Sequence, residues 1–154
     1  MDEVPGLLDQ AIELLGRKAV IHQTRAIARG DPGHSHPWSG ALEWHLRVRD
    51  SRLVLPVDPR ALLVARDVRY LKTLTEVWDD PALLARTRQR MHEEGDRAIW
   101  EMRVAALYRD AGFGSDWTEL TNPTAGPDVM ILDPEVEVQV KVRQGQACAT
   151  PMLC

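Results

Sequence analysis

The chain has 154 residues, of which 44% are apolar and 27% charged, and a net charge of −4. This length suits one domain with its own core, or a small domain plus a helical extension, and the composition excludes a disordered tail. No apolar run approaches the roughly 18 residues that cross a bilayer, and the acidic start lacks the basic region of a signal peptide, so no membrane association is expected.

The first part of the chain is predicted to hold short helices and one hairpin. VPGLLDQAIELLGRK has apolar residues at helical spacing and ends near Gly16, which predicts a helix, whereas AVIHQTRAIA fits a strand or a helix. Gly, Pro and Ser make RGDPGHSHPWSG a loop. In ALEWHLRV, Leu42, Trp44, Leu46 and Val48 alternate with polar residues, so this segment, RDS and RLVLPV are predicted to form a β-hairpin.

Two helix starts and a further helix are predicted next. Asp58 and Asp80 are each followed by proline, which is the pattern of an N-cap and the first helical position. A third helix is predicted from about residue 96 to residue 111, because Gly112 follows it as a helix stop. Its packed stripe is predicted to consist of Trp100, Val104, Leu107 and Ala111.

The end of the chain is predicted to be a small sheet. FGSDWTEL is a candidate strand, TNPTAGP a loop, and PDVMILDPEVEVQVKV two strands joined at Asp133 and Pro134. Cys148 and Cys154 match no metal-site spacing, which favours reduced thiols and a cytoplasmic location.

The histidines and the arginines each allow a functional and a structural interpretation. His34 and His36, with His45 as a third ligand, have the residue type of a zinc site, and a polar loop is the alternative. The middle of the chain is its most basic part, with eight bases and five acids in residues 51–92. Arginines there could contact phosphates or form a solvated helix face; they are Arg60, Arg66, Arg69, Arg86, Arg88 and Arg90.

The last predicted hairpin concentrates polar oxygens and one ammonium group on a single face. Glu137, Gln139 and Lys141 alternate with valines. With a two-residue loop Asp128 faces Gln139, and with a four-residue loop it faces Lys141; both registers keep it on the polar face. Oxygen ligands on neighbouring strands suit Mg²⁺, and a lysine beside the ion can orient a water and stabilise charge on a phosphate.

These residues resemble a known family. PD followed by QVK, after the helix AIWEMRVAALYRDAGF, is similar to the PD-(D/E)xK nuclease superfamily in the Q-x-K form of Mrr-type restriction endonucleases. The resemblance covers about residues 95–145 and implies an α/β fold with a restriction-endonuclease-like core. That core is a helix followed by a three-stranded antiparallel meander, here preceded by a helical and hairpin extension in residues 1–92. The core itself spans residues 93–154.

The resemblance also implies an activity and a site. It implies an endonuclease that hydrolyses phosphodiester bonds of nucleic acid, first of all DNA, with Mg²⁺ or Mn²⁺ as cofactor. Asp128 corresponds to the metal-binding aspartate, Gln139 to the variable acid position and Lys141 to the catalytic lysine. Glu101 corresponds to the helix acid, and the backbone carbonyl of Val140 completes the implied metal ligands.

Two departures from the family pattern keep an alternative open. Gln139 supplies a neutral oxygen where the family more often has glutamate, and the thirteen residues after Lys141 are too few for the helix and strand that usually follow. A truncated frame, a degenerate copy or completion by a homodimer would each account for this. The alternative function is a non-catalytic interaction module or degenerate nuclease fold that binds a protein or nucleic-acid partner.

Overall fold

The structure, a computed structural model, describes residues 3–31, 36–51, 56–117, 128–132 and 135–141. These residues form six helices followed by a three-stranded antiparallel sheet in the order β1-β2-β3. The helices are α1 (Val4–Leu15), α2 (Arg17–Ala28), α3 (Ser39–Ser51), α4 (Pro59–Leu74), α5 (Pro81–Glu93) and α6 (Gly95–Asp110). The strands are β1 (Ser115–Asp116), β2 (Val129–Leu132) and β3 (Glu135–Val138). An α/β fold class is therefore compatible with the architecture.

The first two helices meet at a glycine, as the sequence predicts for the end of α1. Gly16 has a φ of 87°, a left-handed conformation that glycine adopts without steric cost, and it separates α1 from α2. The ambiguous segment AVIHQTRAIA is helical, as part of α2.

The predicted hairpin in the first part of the chain is wrong, because ALEWHLRVRDS is helix α3. Its buried residues are Ser39, Ala41, Leu42 and His45, and Trp38 is buried just before them. Leu42 and His45 are three residues apart, which is the spacing of one helix face. The large apolar residues of this segment alternate with polar ones as they do in a strand. In the helix, however, Ala41 and His45 occupy interior positions, so the alternation does not mark the buried face. Residues 52–55 of the predicted partner strand lie outside the described part of the chain.

The proline-started helices are confirmed together with their caps. The Asp58 carboxylate accepts a hydrogen bond from the Arg60 N–H at 2.8 Å. The Asp80 carboxylate accepts from the N–H groups of Ala82 and Leu83 at 3.0 and 3.1 Å. Both side chains satisfy amides that a helix start leaves open, so α4 and α5 begin where the sequence predicts.

Helix α6 also has the predicted extent, but three of the four residues of the predicted packed stripe are exposed, and Val104 alone of the four packs against the core. Trp100 and Leu107 are 49% and 59% exposed, and Ala111 is exposed as well. The buried face instead consists of small and apolar residues around one acid: Ala98, Ile99, Glu101, Met102, Ala105 and Ala106. The alanines permit close packing of α6 against α4, α5, β1 and β2, and they place Glu101 inside the molecule.

Strands β2 and β3 have the first of the two predicted registers. Val129 pairs with Val138 and Leu132 with Glu135, so Asp128 and Gln139 occupy the next facing positions. Strand β1 is shorter than predicted, and residues 118–120 of that prediction fall outside the described ranges. The alternation of buried and less buried side chains in β2 places Val129 and Ile131 toward α6.

One hydrophobic cluster runs from α1 to β2. It contains Leu8 and Leu14 of α1, Val68 of α4, Met102 of α6 and Val129 of β2. The cluster therefore has members on both sides of the predicted boundary between residues 92 and 93, and that boundary stays a prediction. Within the described residues, each helix is too short or too polar to reach across a bilayer.

Candidate active site

Helix α6 carries Glu101 into the interior, where charged and polar donors surround its carboxylate. Glu101 is 0% exposed. Arg90 Nη2 donates to Oε1 at 3.1 Å and to Oε2 at 3.3 Å, and the indole Nε1 of Trp117 donates to Oε2 at 3.0 Å. Arg97, one turn earlier on α6, forms an ion pair with Oε1 at 2.8 Å. A buried carboxylate requires such compensation, so this site is a fully partnered acid.

Asp128 lies at the start of β2 and is 1% exposed. Its Oδ1 accepts a hydrogen bond from Arg97 Nη2 at 2.8 Å, and its Oδ2 accepts from the backbone N–H of Val140 at 2.7 Å. The second contact joins the start of β2 to the residues that follow β3. The first contact joins Asp128 to Glu101, because Arg97 binds both carboxylates.

The other two predicted site residues are solvent-exposed and follow the end of β3. Gln139 and Lys141 are exposed, and Val140 between them is half-buried. The structure thus brings Glu101 and Asp128 to one guanidinium group, that of Arg97, and brings the Val140 N–H to Asp128. Gln139 stands at the position facing Asp128 by extension of the register, and Lys141 lies two residues further on.

Sequence reasoning missed the arginines of this site. Arg97 is four residues before Glu101 on α6, a spacing that brings oppositely charged side chains together on one helix. That spacing is the sequence feature that could have indicated the contact between Arg97 and Glu101. It is common on solvated helix faces, so it does not by itself indicate a buried pair. Arg90 comes from α5, and its contact with Glu101 depends on how α5 packs against α6.

The described side chains can be compared with the ligands that the implied Mg²⁺ or Mn²⁺ would need. In the described ranges no cluster of three His, Cys, Asp or Glu side chains has the arrangement of a metal site. The donor types nevertheless suit Mg²⁺: two carboxylates, an amide oxygen and a backbone carbonyl. A cation already stands between the carboxylates, namely the Arg97 guanidinium. The residues therefore fit a positive charge at this point, which Arg97 supplies, and the metal ion stays a prediction.

The two described histidines of the zinc hypothesis, His36 and His45, lie in separate environments. His34 lies outside the described residues. His36 is buried, and its Nδ1 accepts the Trp38 N–H at 3.1 Å. His45 contacts Asp9 through Nε2 at 3.0 Å. Each described histidine of the zinc hypothesis thus has its own protein partner.

Burial of His36 leads to a testable pH dependence. Loss of solvation, with a further contribution from nearby His92, lowers the pKa of His36 from 6.5 to about 3. The folded protein keeps this imidazole neutral while the unfolded chain takes up a proton below pH 6.5. The contribution of His36 to the free energy of unfolding is therefore fully present above pH 6.5. As pH falls from there toward the folded pKa, the free energy of unfolding decreases by about 1.4 kcal/mol per pH unit.

We expect the free energy of unfolding of the wild type to fall more steeply with acidification than that of His36→Asn, whose amide oxygen can still accept the Trp38 N–H. Urea denaturation between pH 6.5 and 4.5 measures both slopes. His22→Asn, at an exposed position of α2, is the matched control and should keep the wild-type slope. Equal slopes for the wild type and His36→Asn would contradict the assignment.

Most arginines of the middle helices have protein partners. Arg88 donates to the carbonyl of Leu14 at 2.8 Å, and His92 contacts the carbonyl of Leu15 at 2.7 Å. These two side chains line a groove of about 820 Å³ beside the end of α1, where they satisfy carbonyls left open by the helix. The other partners are Asp58 for Arg60, the Tyr70 ring for Arg66, Glu3 for Arg69 and Glu101 for Arg90. These contacts favour structural roles over phosphate binding.

The similarity to nucleases depends on a short part of the chain, and its two acids are the residues joined by Arg97. That similarity is one of sequence motif and element order. No family model, curated protein or solved structure matches the chain.

Proposed function

We propose that the protein is a metal-dependent nuclease with a restriction-endonuclease-like core. The proposed reaction is hydrolysis of phosphodiester bonds in nucleic acid, with DNA as the favoured substrate. The observation that carries the proposal is the convergence of Glu101 and Asp128 on one cationic group. They are the two acids that the motif similarity selects, they come from a helix and from a strand start, and both are buried.

The residues have distinct roles in this proposal. Asp128, the Gln139 amide oxygen and the Val140 carbonyl would hold Mg²⁺ or Mn²⁺, with Glu101 holding a water of that ion or a second ion. The ion would supply charge stabilisation and a more acidic water. Lys141, whose ammonium group is exposed, would orient the attacking water and stabilise the charge that develops on the phosphate.

The proposed partner is nucleic acid in the cytoplasm, although the chain as a whole is acidic. Residues 93–154 carry five bases and eleven acids, so the proposed core gives little general attraction to a polyanion. Binding would then depend on the ion and on Lys141. In a homodimer, the second copy of the chain would supply further contacts.

The second candidate function is a non-catalytic interaction module. The observation that favours it is the burial of Asp128, 1% exposed, together with its bond to the Val140 N–H. These are the features of a structural carboxylate whose hydrogen bond holds the residues after β3 to the start of β2. Trp100 and Leu107, exposed on α6, would then belong to a partner surface.

Cleavage of supercoiled plasmid and of single-stranded DNA with Mg²⁺ or Mn²⁺ tests the nuclease. We expect nicking or linearisation that requires the ion, and a loss of about 10²-fold or more in rate for Lys141→Ala. Lys72→Ala, which also removes an exposed lysine, is the matched control and should keep the wild-type rate.

The outcome also separates the two candidates. Cleavage that persists in EDTA, or that Lys141→Ala leaves unchanged, would come from a contaminating enzyme. A wild-type protein with no cleavage and no Mg²⁺-dependent shift in its melting temperature would favour the interaction module.

A further inference from the structure

Within the described part of the chain, the candidate site contains acidic and basic side chains that contact one another, with one more acid than base. Three carboxylates (Glu94, Glu101 and Asp128) face two guanidinium groups (Arg90 and Arg97). Arg90 contacts Glu94 and Glu101, at 2.6 and 3.1 Å. Arg97 contacts Glu101 and Asp128, each at 2.8 Å. These five described groups together carry a net charge of minus one.

We propose that Arg97 is a positioning residue that competes directly with the divalent ion for Asp128 and Glu101. This inference rests on the proposed nuclease function. A doubly charged ion added beside Arg97 would leave the cluster with an excess positive charge in a buried place. If Arg97 turns outward as the ion enters, the cluster becomes neutral. Electrostatics in a weakly screened interior thus favour exchange over joint occupancy.

The two arginines differ in their ability to leave. The Arg97 side chain is 41% exposed, whereas that of Arg90 is 18% exposed. Arg97 can therefore reach water by rotating its side chain, and Glu101 would keep its contacts with Arg90 and Trp117. Asp128 would exchange a guanidinium for the ion. Arg97 thereby holds both acids in place when the ion is absent.

Competition predicts an inverse relation between Arg97 and metal affinity. If Mg²⁺ binds only when the guanidinium has left, the apparent affinity equals the intrinsic affinity multiplied by the fraction of molecules in which the guanidinium has left. We expect Arg97→Gln to bind Mg²⁺ at least about tenfold more tightly than the wild type. Isothermal titration calorimetry with MgCl₂ at constant ionic strength measures this, with folding of each variant verified by circular dichroism.

Three further variants make the test specific. Arg103→Gln is the matched control, because Arg103 also lies on α6 and pairs with a buried acid, Asp67, away from the site. It should keep the wild-type Mg²⁺ affinity. Arg97→Lys retains the charge with fewer donors, and it should bind Mg²⁺ more tightly than the wild type by a smaller factor. It decides the question if Arg97→Gln does not fold. Asp128→Asn, added to Arg97→Gln, should abolish binding.

The failures of the inference and of the nuclease proposal are distinguishable. If the Arg97 variants bind Mg²⁺ no more tightly than the wild type, while Asp128→Asn in the wild-type background removes binding, competition is wrong and the metal site stands. If neither the wild type nor the Arg97 variants bind Mg²⁺, both proposals are wrong, and the carboxylates have a structural role.

Discussion

Glu101→Ala is expected to lower the free energy of unfolding by about 3 kcal/mol or more, because it removes a buried carboxylate that binds Arg90, Arg97 and the Trp117 indole. Arg90, 18% exposed in its side chain, would lose its interior partner, and the Trp117 indole N–H would lose its acceptor. A shift of this size is a large share of a typical total of about 5–15 kcal/mol. Urea denaturation followed by circular dichroism measures it.

The control lies on the same helix. Asp110→Ala removes an exposed acid at the end of α6 and should change stability by less than about 0.5 kcal/mol. A Glu101→Ala protein as stable as the wild type would mean that the contacts of Glu101 with Arg90 and Trp117 do not form in solution. It would remove the basis of the candidate site at the same time.

Helix starts were predictable from sequence because they are determined by a few neighbouring residues. Asp58 and Asp80 each precede a proline, and each carboxylate caps its own helix. Gly112, with a φ of 92°, ends α6 for a similarly local reason. Local chemistry of this kind is present in the chain before any tertiary contact forms.

The errors concern which side of an element is buried. In α3, Ala41 and His45 are interior residues that a count of large apolar side chains does not include. In α6, the interior face contains alanines and one glutamate, while Trp100 is 49% exposed. The identity of the interior face depends on the neighbouring helices, and the sequence of one element does not contain that information.

The candidate site also combines residues that the sequence predicted with residues whose role depends on packing. The motif similarity selected Glu101 and Asp128, and the structure places both in the interior with a shared partner. The motif contains no position for Arg90 or Arg97. Their role depends on the packing of α5 against α6 and of α6 against β2, which brings two buried acids within reach of two guanidinium groups.

A second buried acid gives the other large effect. Asp67 on α4 is 0% exposed and accepts hydrogen bonds from Arg103 at 2.9 and 2.8 Å and from the Trp38 indole at 3.0 Å. Asp67→Ala would leave both donors without their acceptor and is expected to cost about 3–5 kcal/mol. Thermal and urea denaturation measure the loss. The contacts of Glu101 and Asp128 with Arg97 should remain in the folded variant, since Asp67 lies outside the candidate site.

The double variant Asp67→Ala with Arg103→Met separates the ion pair from the packing around it. Removing both charges avoids an unpaired guanidinium, so the double variant should be more stable than Asp67→Ala alone. Arg103 also stacks on Trp100, with its guanidinium carbon 5.2 Å from the ring centre, and methionine can keep an apolar contact there. A double variant at least as unstable as the sum of the single variants would show that the two residues are not coupled, and that Asp67 acts mainly through Trp38.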